Sequence, residues 1–218
     1  HLSIRRQRQM CIRDRCIGDN SESWPMWRND SNNSGASEVG PSELNLRWSF
    51  ETNGGVGSTP VVADGRVYFG SQDKNVYCIN ADDGRFYWSF ATEARIKSSL
   101  AVSDGKLYVG PDDGNIYCLD AITGRVIWET FAGGFVEAAF KAVTGVRSSP
   151  IVVKDRVYVG SLDANLYCID ANNGDVVWTY ETGGYITASP AVSNGAVYIT
   201  SMEPNSGCLL YTSPSPRD

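Results

Sequence analysis

One pattern recurs along this chain at a nearly fixed interval, and it limits the fold more than any other feature. Residues 98–128 read SSLAVSDGKLYVGPDDGNIYCLDAITGRVIW; residues 58–88 carry an earlier copy, 148–178 a later one, and 188–201 begin a fourth that breaks off. Trp48, Trp88, Trp128 and Trp178 stand 40, 40 and 50 residues apart, while Tyr68, Tyr108, Tyr158 and Tyr198 stand 40, 50 and 40 apart. Within a copy, alternation and turn residues mark four short strands. In the middle copy the first, over 100–103, and the second, over 106–109, meet across Asp104-Gly105, a pair suited to a two-residue hairpin with positive φ. Asp64-Gly65 and Asn194-Gly195 repeat that turn, and Asp155-Arg156 is read as the copy without the glycine. A third strand over 115–120 follows the loop 111–114, and a fourth over 125–130 follows the turn 121–124.

One small sheet cannot bury both of its faces unless neighbours stack on it, so a period near forty with four strands per unit predicts an all-β propeller built of antiparallel four-stranded blades. Residues 46–51 add an outer strand carrying Trp48 without inner strands before it. The expectation is therefore an incomplete ring of about three and a half blades.

The residues closing each copy resemble the quinoprotein-like family of propellers with pyrroloquinoline quinone (PQQ)-like repeats, whose unit ends in Ala-x-Asp-x-x-x-Gly-x-x-x-Trp. The matching positions are Cys118, Asp120, Gly124 and Trp128; Cys168, Asp170, Gly174 and Trp178; and Cys78, Asn80, Gly84 and Trp88, so cysteine replaces alanine throughout and Asn80 replaces one aspartate. The resemblance implies that each tryptophan, Trp48 included, docks between adjacent blades over the turn that the aspartate and glycine shape. It also implies a full ring of seven or eight blades. Neither a Trp-Asp pair nor a Gly-Gly pair after the second strand is present, which argues against WD and kelch repeats. Residues 24–35, WPMWRNDSNNSG, are similar to the family's opening segment; Asn29 and Asn32 there also lie in glycosylation-type triplets.

The two ends read differently. Residues 1–15, with RRQRQMCIRDR, and 208–218, CLLYTSPSPRD, resemble translated transposase adapters at the edges of metagenomic fragments and are set aside from the domain. The alternative for the first is a basic tail or leader. The expected organisation is thus adapter-like 1–15, a polar linker 16–23, a partial propeller over 24–207, and adapter-like 208–218. Without the ends, 13 basic residues face 23 acidic ones, a formal charge of −10. That charge offers no footprint for nucleic acid, and no run of apolar residues is long enough for a membrane span.

Cys78, Cys118 and Cys168 occupy equivalent sites in successive blades, too far apart to bridge, and are expected to be buried thiols. Cys16 opens the credible sequence ahead of the polar tether IGDNSES, the arrangement of a lipidated first residue and its linker; an ordinary linker cysteine is the alternative.

Chemistry on a propeller is expected on the face shared by the second-to-third-strand loops and the inter-blade connections. The former place Asp73, Asp113 and Asp163 at one repeat position, either a ring for a cation or basic peptide or ordinary turn chemistry. Three connections run 10 residues from tryptophan to the next first strand, but the one after Trp128 runs 20. Its extra GGFVEAAFKAVTG puts Phe135 and Phe140 on one side at helical spacing, as a lid, a partner-binding element or a packed decoration. Lys97 and Arg147, just before inner strands, are candidates for the same face.

No catalytic residue and no metal ligand is assigned. The family's dehydrogenases bind PQQ and calcium and commonly carry adjacent cysteines; adjacent cysteines are missing, no calcium set can be matched residue by residue, and the one histidine is His1. PQQ and calcium are expected only if blades beyond this sequence supply the ligands. The sequence thus favours a non-catalytic, exported, lipid-anchored scaffold that binds proteins or a ligand, similar in role to the propeller lipoprotein of the outer-membrane barrel assembly machinery. A quinone-dependent alcohol or sugar dehydrogenase, or the sensor domain of a receptor or kinase, are the alternatives. Open sheet edges in a partial ring expose unpaired backbone. Expressed alone, the chain is expected to be poorly soluble or oligomeric; a sharp monomer peak with cooperative unfolding would contradict this.

Overall fold

A computed structural model describes residues 8–13, 46–133, 145–202 and 209–214, with the backbone pairing alone for the first and last of these segments. Every regular element among the described residues is a strand. β1 (Arg8–Arg13) pairs with β2 (Leu46–Thr52). Three four-stranded sheets follow: β3 (Val61–Ala63) to β6 (Phe86–Ala91) through β4 (Arg66–Gly70) and β5 (Asn75–Asn80); β7 (Ala101–Ser103) to β10 (Val126–Phe131) through β8 (Lys106–Val109) and β9 (Asn115–Asp120); and β11 (Ile151–Val153) to β14 (Val176–Glu181) through β12 (Arg156–Gly160) and β13 (Asn165–Asp170). The last sheet holds β15 (Ala191–Ser193), β16 (Ala196–Ser201) and β17 (Leu209–Pro214). All pairings are antiparallel meanders, so these sheets are blades of a partial β-propeller.

The hairpins between first and second strands form as their turn residues require. Asp64 and Gly65 take φ 48 and 69, Asp104 and Gly105 take 50 and 71, and Asn194 and Gly195 take 51 and 75, the double positive φ of a type I′ turn. In the third blade the turn is Lys154-Asp155, not Asp155-Arg156: Lys154 takes φ 55 and Arg156 already pairs with Val153 at the start of β12. The missing glycine had hidden the register by one residue.

The fourth strand of each blade begins with an irregularity. Ile79 pairs with Phe86 and Cys78 with Trp88, which leaves Tyr87 as an extra residue; Ile127 and Val177 are its counterparts. A bulge immediately before each tryptophan increases local twist and re-aims the indole. The fourth strand of the second blade begins at Val126, one residue later than the expected 125, because the Arg125 carbonyl closes the preceding turn with Asp120 N–H.

The cores lie between blades. Tyr108, Cys118 and Trp128 of the second blade pack with Ile151, Val157 and Ile169 of the third; Tyr68, Cys78 and Trp88 of the first pack with Leu100, Leu107 and Leu119 of the second. The segments 8–13 and 209–214, set apart from the domain by their sequence, are strands in the structure. β1 and β17 both take the third-strand position: Ile12 faces Trp48 as Cys78 faces Trp88, and Thr212 faces Tyr198 as Cys78 faces Tyr68.

Gly105 and Gly124 separate two reasons for a glycine. At Gly105 (φ +71) an added Cβ meets nothing within 4 Å, while at Gly124 (φ +71) it meets the Trp88 ring at 2.7 Å. Gly105→Ala is expected to cost about 1–2 kcal/mol, the left-handed backbone penalty alone. Gly124→Ala should cost about 1–3 kcal/mol more, the added amount coming from overpacking. Denaturant midpoints of the two variants measure the difference.

Candidate functional site

Each blade is fastened to the next by the residues of the repeat's closing motif. Trp48 Nε1 donates to the Ala81 carbonyl at 3.1 Å, Trp88 to Ala121 at 3.3 Å and Trp128 to Ala171 at 3.1 Å, in every case across a blade boundary. The indoles lie on Gly84, Gly124 and Gly174, where a Cβ would come within 2.7–2.8 Å of the ring. Tyr68 and Tyr108 hydroxyls donate to the same Ala121 and Ala171 carbonyls, so one backbone oxygen receives both aromatic donors. The turn that presents it is held by Asn80, Asp120 or Asp170, whose Oδ1 accepts from the N–H two residues on. Cys78, Cys118 and Cys168 are buried free thiols beneath the tryptophans. Trp178 is half-buried and stacks at a tilt beside Tyr158, with ring centroids 6.0 Å apart.

The second-to-third-strand loops and the inter-blade connections do share a face, because they hydrogen-bond to one another. Gln72 N–H reaches the Gly55 carbonyl, Asp112 N–H reaches Arg95 and Leu162 N–H reaches Gly145. On this face Asp73, Asp113 and Asp163 each turn inward on their own loops. Oδ1 accepts from the N–H of Asn75, Asn115 and Asn165, and Oδ2 accepts from the hydroxyl of Tyr77, Tyr117 and Tyr167. Asp73 and Asp113 also accept from the connecting segments, at Asn53 N–H and Glu93 N–H. Burial raises the Asp113 carboxyl above the usual range despite these donors. The three carboxylates brace loops rather than converge.

Lys97 and Arg147 do converge, on a residue that sequence reasoning missed. Lys97 Nζ lies 2.5 Å from Asp112 Oδ2, and Arg147 Nε lies 3.1 Å from Asp112 Oδ1. The two cations come from successive connections and the carboxylate from the loop between them. The positions equivalent to Asp112 are Gln72 and Leu162, so a repeat comparison gave no signal for it; only the pairing in space does. Phe135 and Phe140 lie in 134–144, outside the described residues, as does Cys16. The two ends of that longer connection are placed, however: a Cβ on Gly133 would meet Gly114 Cα at 2.7 Å, and one on Gly145 would meet Asp112 Cα at 2.9 Å. The insertion therefore leaves and returns beside the Lys97–Asp112–Arg147 cluster.

A second set of contacts was also missed. Thr59 N–H donates to Ser99 Oγ, Ser99 N–H to Ser149 Oγ and Ser149 N–H to Ser189 Oγ, at 2.9–3.1 Å. This ladder links the lead-in of each first strand to the next, and its signal was the hydroxyl residue at the second position of each copy: Thr59, Ser99, Ser149 and Ser189.

Propellers of PQQ-like repeats are the class that these blades and seams define. Residues 38–212 match the family model described as outer membrane protein assembly factor BamB, and the chain belongs to that family. Comparison with curated protein sequences finds no match. Among solved structures, the quinohemoprotein alcohol dehydrogenase ADHIIG from Pseudomonas putida HK5 superposes with a TM-score of 0.72 at 22% identity, over 82% of this chain and 34% of that one. BamB from Moraxella catarrhalis gives 0.68 at 17% identity over 78% and 53%, and the computationally designed Ika8 protein gives 0.61 at 13% over 79% and 50%. At these identities the likeness is one of fold, and the chain spans about a third to a half of the structures it resembles.

The described side chains do not gather a calcium site. No group of three or more His, Cys, Asp or Glu among the described residues is placed to hold a metal, and the face carboxylates already accept two or more hydrogen bonds each. No helix among the described residues is long and apolar enough to cross a membrane.

Burial pushes the Cys78 and Cys168 thiols up to about 11 and Cys118 up to about 12, from an ordinary value of 9.0. The folded chain thus holds protons that the unfolded chain releases, so this contribution to stability is complete below pH 9 and is lost as pH rises through 11 to 12. Denaturant midpoints should fall over that interval. In mildly alkaline buffer, peptide mapping after thiol labelling should find these three cysteines protected until the chain unfolds.

Proposed function

We propose that this chain is part of an exported, non-catalytic propeller scaffold that holds a protein partner on the face bearing the second-to-third-strand loops. One observation carries the reading: Lys97 and Arg147 meet Asp112 where the connection after Trp128 exceeds its counterparts by ten residues. Elsewhere the repeat is kept for reasons of packing. Here it is broken by charge and by length at the same place, and loops on a rigid scaffold are where binding residues concentrate. Membership of the family named for outer membrane protein assembly supports a role in holding assembly components. Lipidation at Cys16 would anchor the scaffold to a membrane, and mass spectrometry of the protein from its host tests that modification directly.

The likeness to quinohemoprotein alcohol dehydrogenase favours a second reading, a quinone- and calcium-dependent dehydrogenase whose ligands lie in other parts of the protein. The two readings separate in one pair of experiments on the parent protein. Under the scaffold reading, barrel-assembly proteins are retained in a pull-down, retention falls at least several-fold in a Lys97→Ala/Arg147→Ala variant, and added PQQ with calcium leaves tryptophan fluorescence unchanged. Saturable quenching by the quinone, with no retention, overturns it. The double substitution removes two partly exposed ion pairs, so stability should change by no more than about 1–2 kcal/mol.

A further inference from the structure

The first blade departs from its neighbours at three positions, and all three bear on one arginine. Arg66, Lys106 and Arg156 start their second strands at equivalent places. Lys106 crosses to the next blade, where Nζ donates to the Ala171 carbonyl and to Asn172 Oδ1. Arg156 stays in its own blade and pairs with Asp170 at 2.8 Å and with Asp155 at 2.9 Å. Arg66 has neither outlet. The counterpart of Asn172 across its boundary is Ile122, an exposed side chain that accepts nothing, and the counterpart of Asp170 in its own blade is the uncharged Asn80. Among the described residues no carboxylate pairs with Arg66, and its guanidinium donates only from Nη1 to Cys78 Sγ at 3.8 Å, a weak acceptor.

The third departure is Tyr87, which fills the bulge where the neighbours have Ile127 and Val177. The Arg66 guanidinium lies 4.2 Å from the centre of its ring and the Arg85 guanidinium 5.5 Å. Asn80 Nδ2 donates to the Tyr87 hydroxyl at 2.7 Å, while Asn80 Oδ1 still accepts from the N–H of Asp82 and Asp83. Asparagine in place of aspartate therefore keeps the docking turn, fixes the ring and removes the charge that would neutralise the arginine. Stacking uses the flat face of a guanidinium and leaves its N–H edge open to an acceptor. The Tyr87 oxygen already holds the Asn80 donor, and its own O–H finds no acceptor among the described residues.

We propose that Arg66, Tyr87 and Arg85 form a carboxylate-binding site, with the Arg66 fork and the Tyr87 O–H as donors. It lies at the opposite end of the blade from the Lys97–Asp112–Arg147 face: Arg66 follows the first hairpin, whose Gly65 carbonyl accepts from Ala81 N–H, whereas the far end of β4 enters the loop 71–74. Asp82 and Asp83 stand in the turn beside Arg85, so a singly charged carboxylate suits the local field better than a doubly charged phosphate. The carboxylate belongs to an acidic side chain of a peptide or to a small free acid.

Titration calorimetry of the parent protein at low ionic strength, with acetate and with end-blocked glycyl-glutamyl-glycine as probes, tests the site. Saturable binding is expected with a dissociation constant on the order of 1–10 mM, weakening as salt is added. Asn80→Asp should weaken it about tenfold or more, because it sets a carboxylate beside Arg66; the turn tolerates the change, since Asp120 and Asp170 cap the equivalent turns. Arg66→Lys, which copies Lys106, should also weaken it about tenfold, because the charge stays and the fork is lost. Tighter binding of the tripeptide than of acetate identifies a peptide as the ligand, and equal binding a free acid; both support the site. No saturation by either probe at about 50 mM, unchanged affinity in both variants, or tighter binding of inorganic phosphate than of either carboxylate overturns it.

Discussion

The structure depends on one backbone oxygen per blade boundary. A four-stranded sheet of this size has two apolar faces and cannot cover either by itself, so stability rests on what happens between sheets. Indole is the largest ring available for that gap, yet burying its N–H without an acceptor would cost as much as the packing contributes. The carbonyls of Ala81, Ala121 and Ala171 remove that cost, and the glycines three residues further on remove the Cβ that would hold the ring away. The bulge before each tryptophan turns the ring toward both. Sequence, local irregularity and packing thus meet in a few atoms, and the buried thiols and tyrosines fill the space around them.

The loops on the proposed binding face show two uses of charge. Asp73, Asp113 and Asp163 spend their oxygens on local N–H groups and tyrosine hydroxyls, which stiffens three loops without leaving a site. Asp112 is different because its two partners arrive from separate connections. A carboxylate shared by Lys97 and Arg147 ties two segments to one loop and leaves the group of three with a net positive charge on an acidic protein.

Much of the fold was legible because periodicity is redundant. Trp88, Gly124 and Asp120 recur with their neighbours, so strand order, the docking turns and the burial of Cys118 could be read from any one copy and checked against the next. Errors arose where a copy departs from the pattern. Lys154 adopts the left-handed backbone that Asp64 and Asp104 take, but the following residue is Asp155 instead of glycine, and the turn was displaced by one position. The bulges at Tyr87, Ile127 and Val177 had no side-chain signal of their own, since a bulge is a property of register. Lys97 and Arg147 were visible as candidates, whereas Asp112 was hidden: its role exists only through contacts 15 and 35 residues away in sequence.

The serine ladder carries a consequence of its own. Thr59, Ser99, Ser149 and Ser189 are linked donor to acceptor in a single direction, each blade giving an N–H to the one after it and taking one from the one before. Such a contact is heterologous: it has a head and a tail, and it is the same bond whether four units or eight are strung together. Nothing in the chemistry of a boundary therefore counts blades. The number is left to the small rotation between successive sheets, and a gene that duplicates or drops one repeat keeps every seam chemically whole while changing the diameter of the ring it must close.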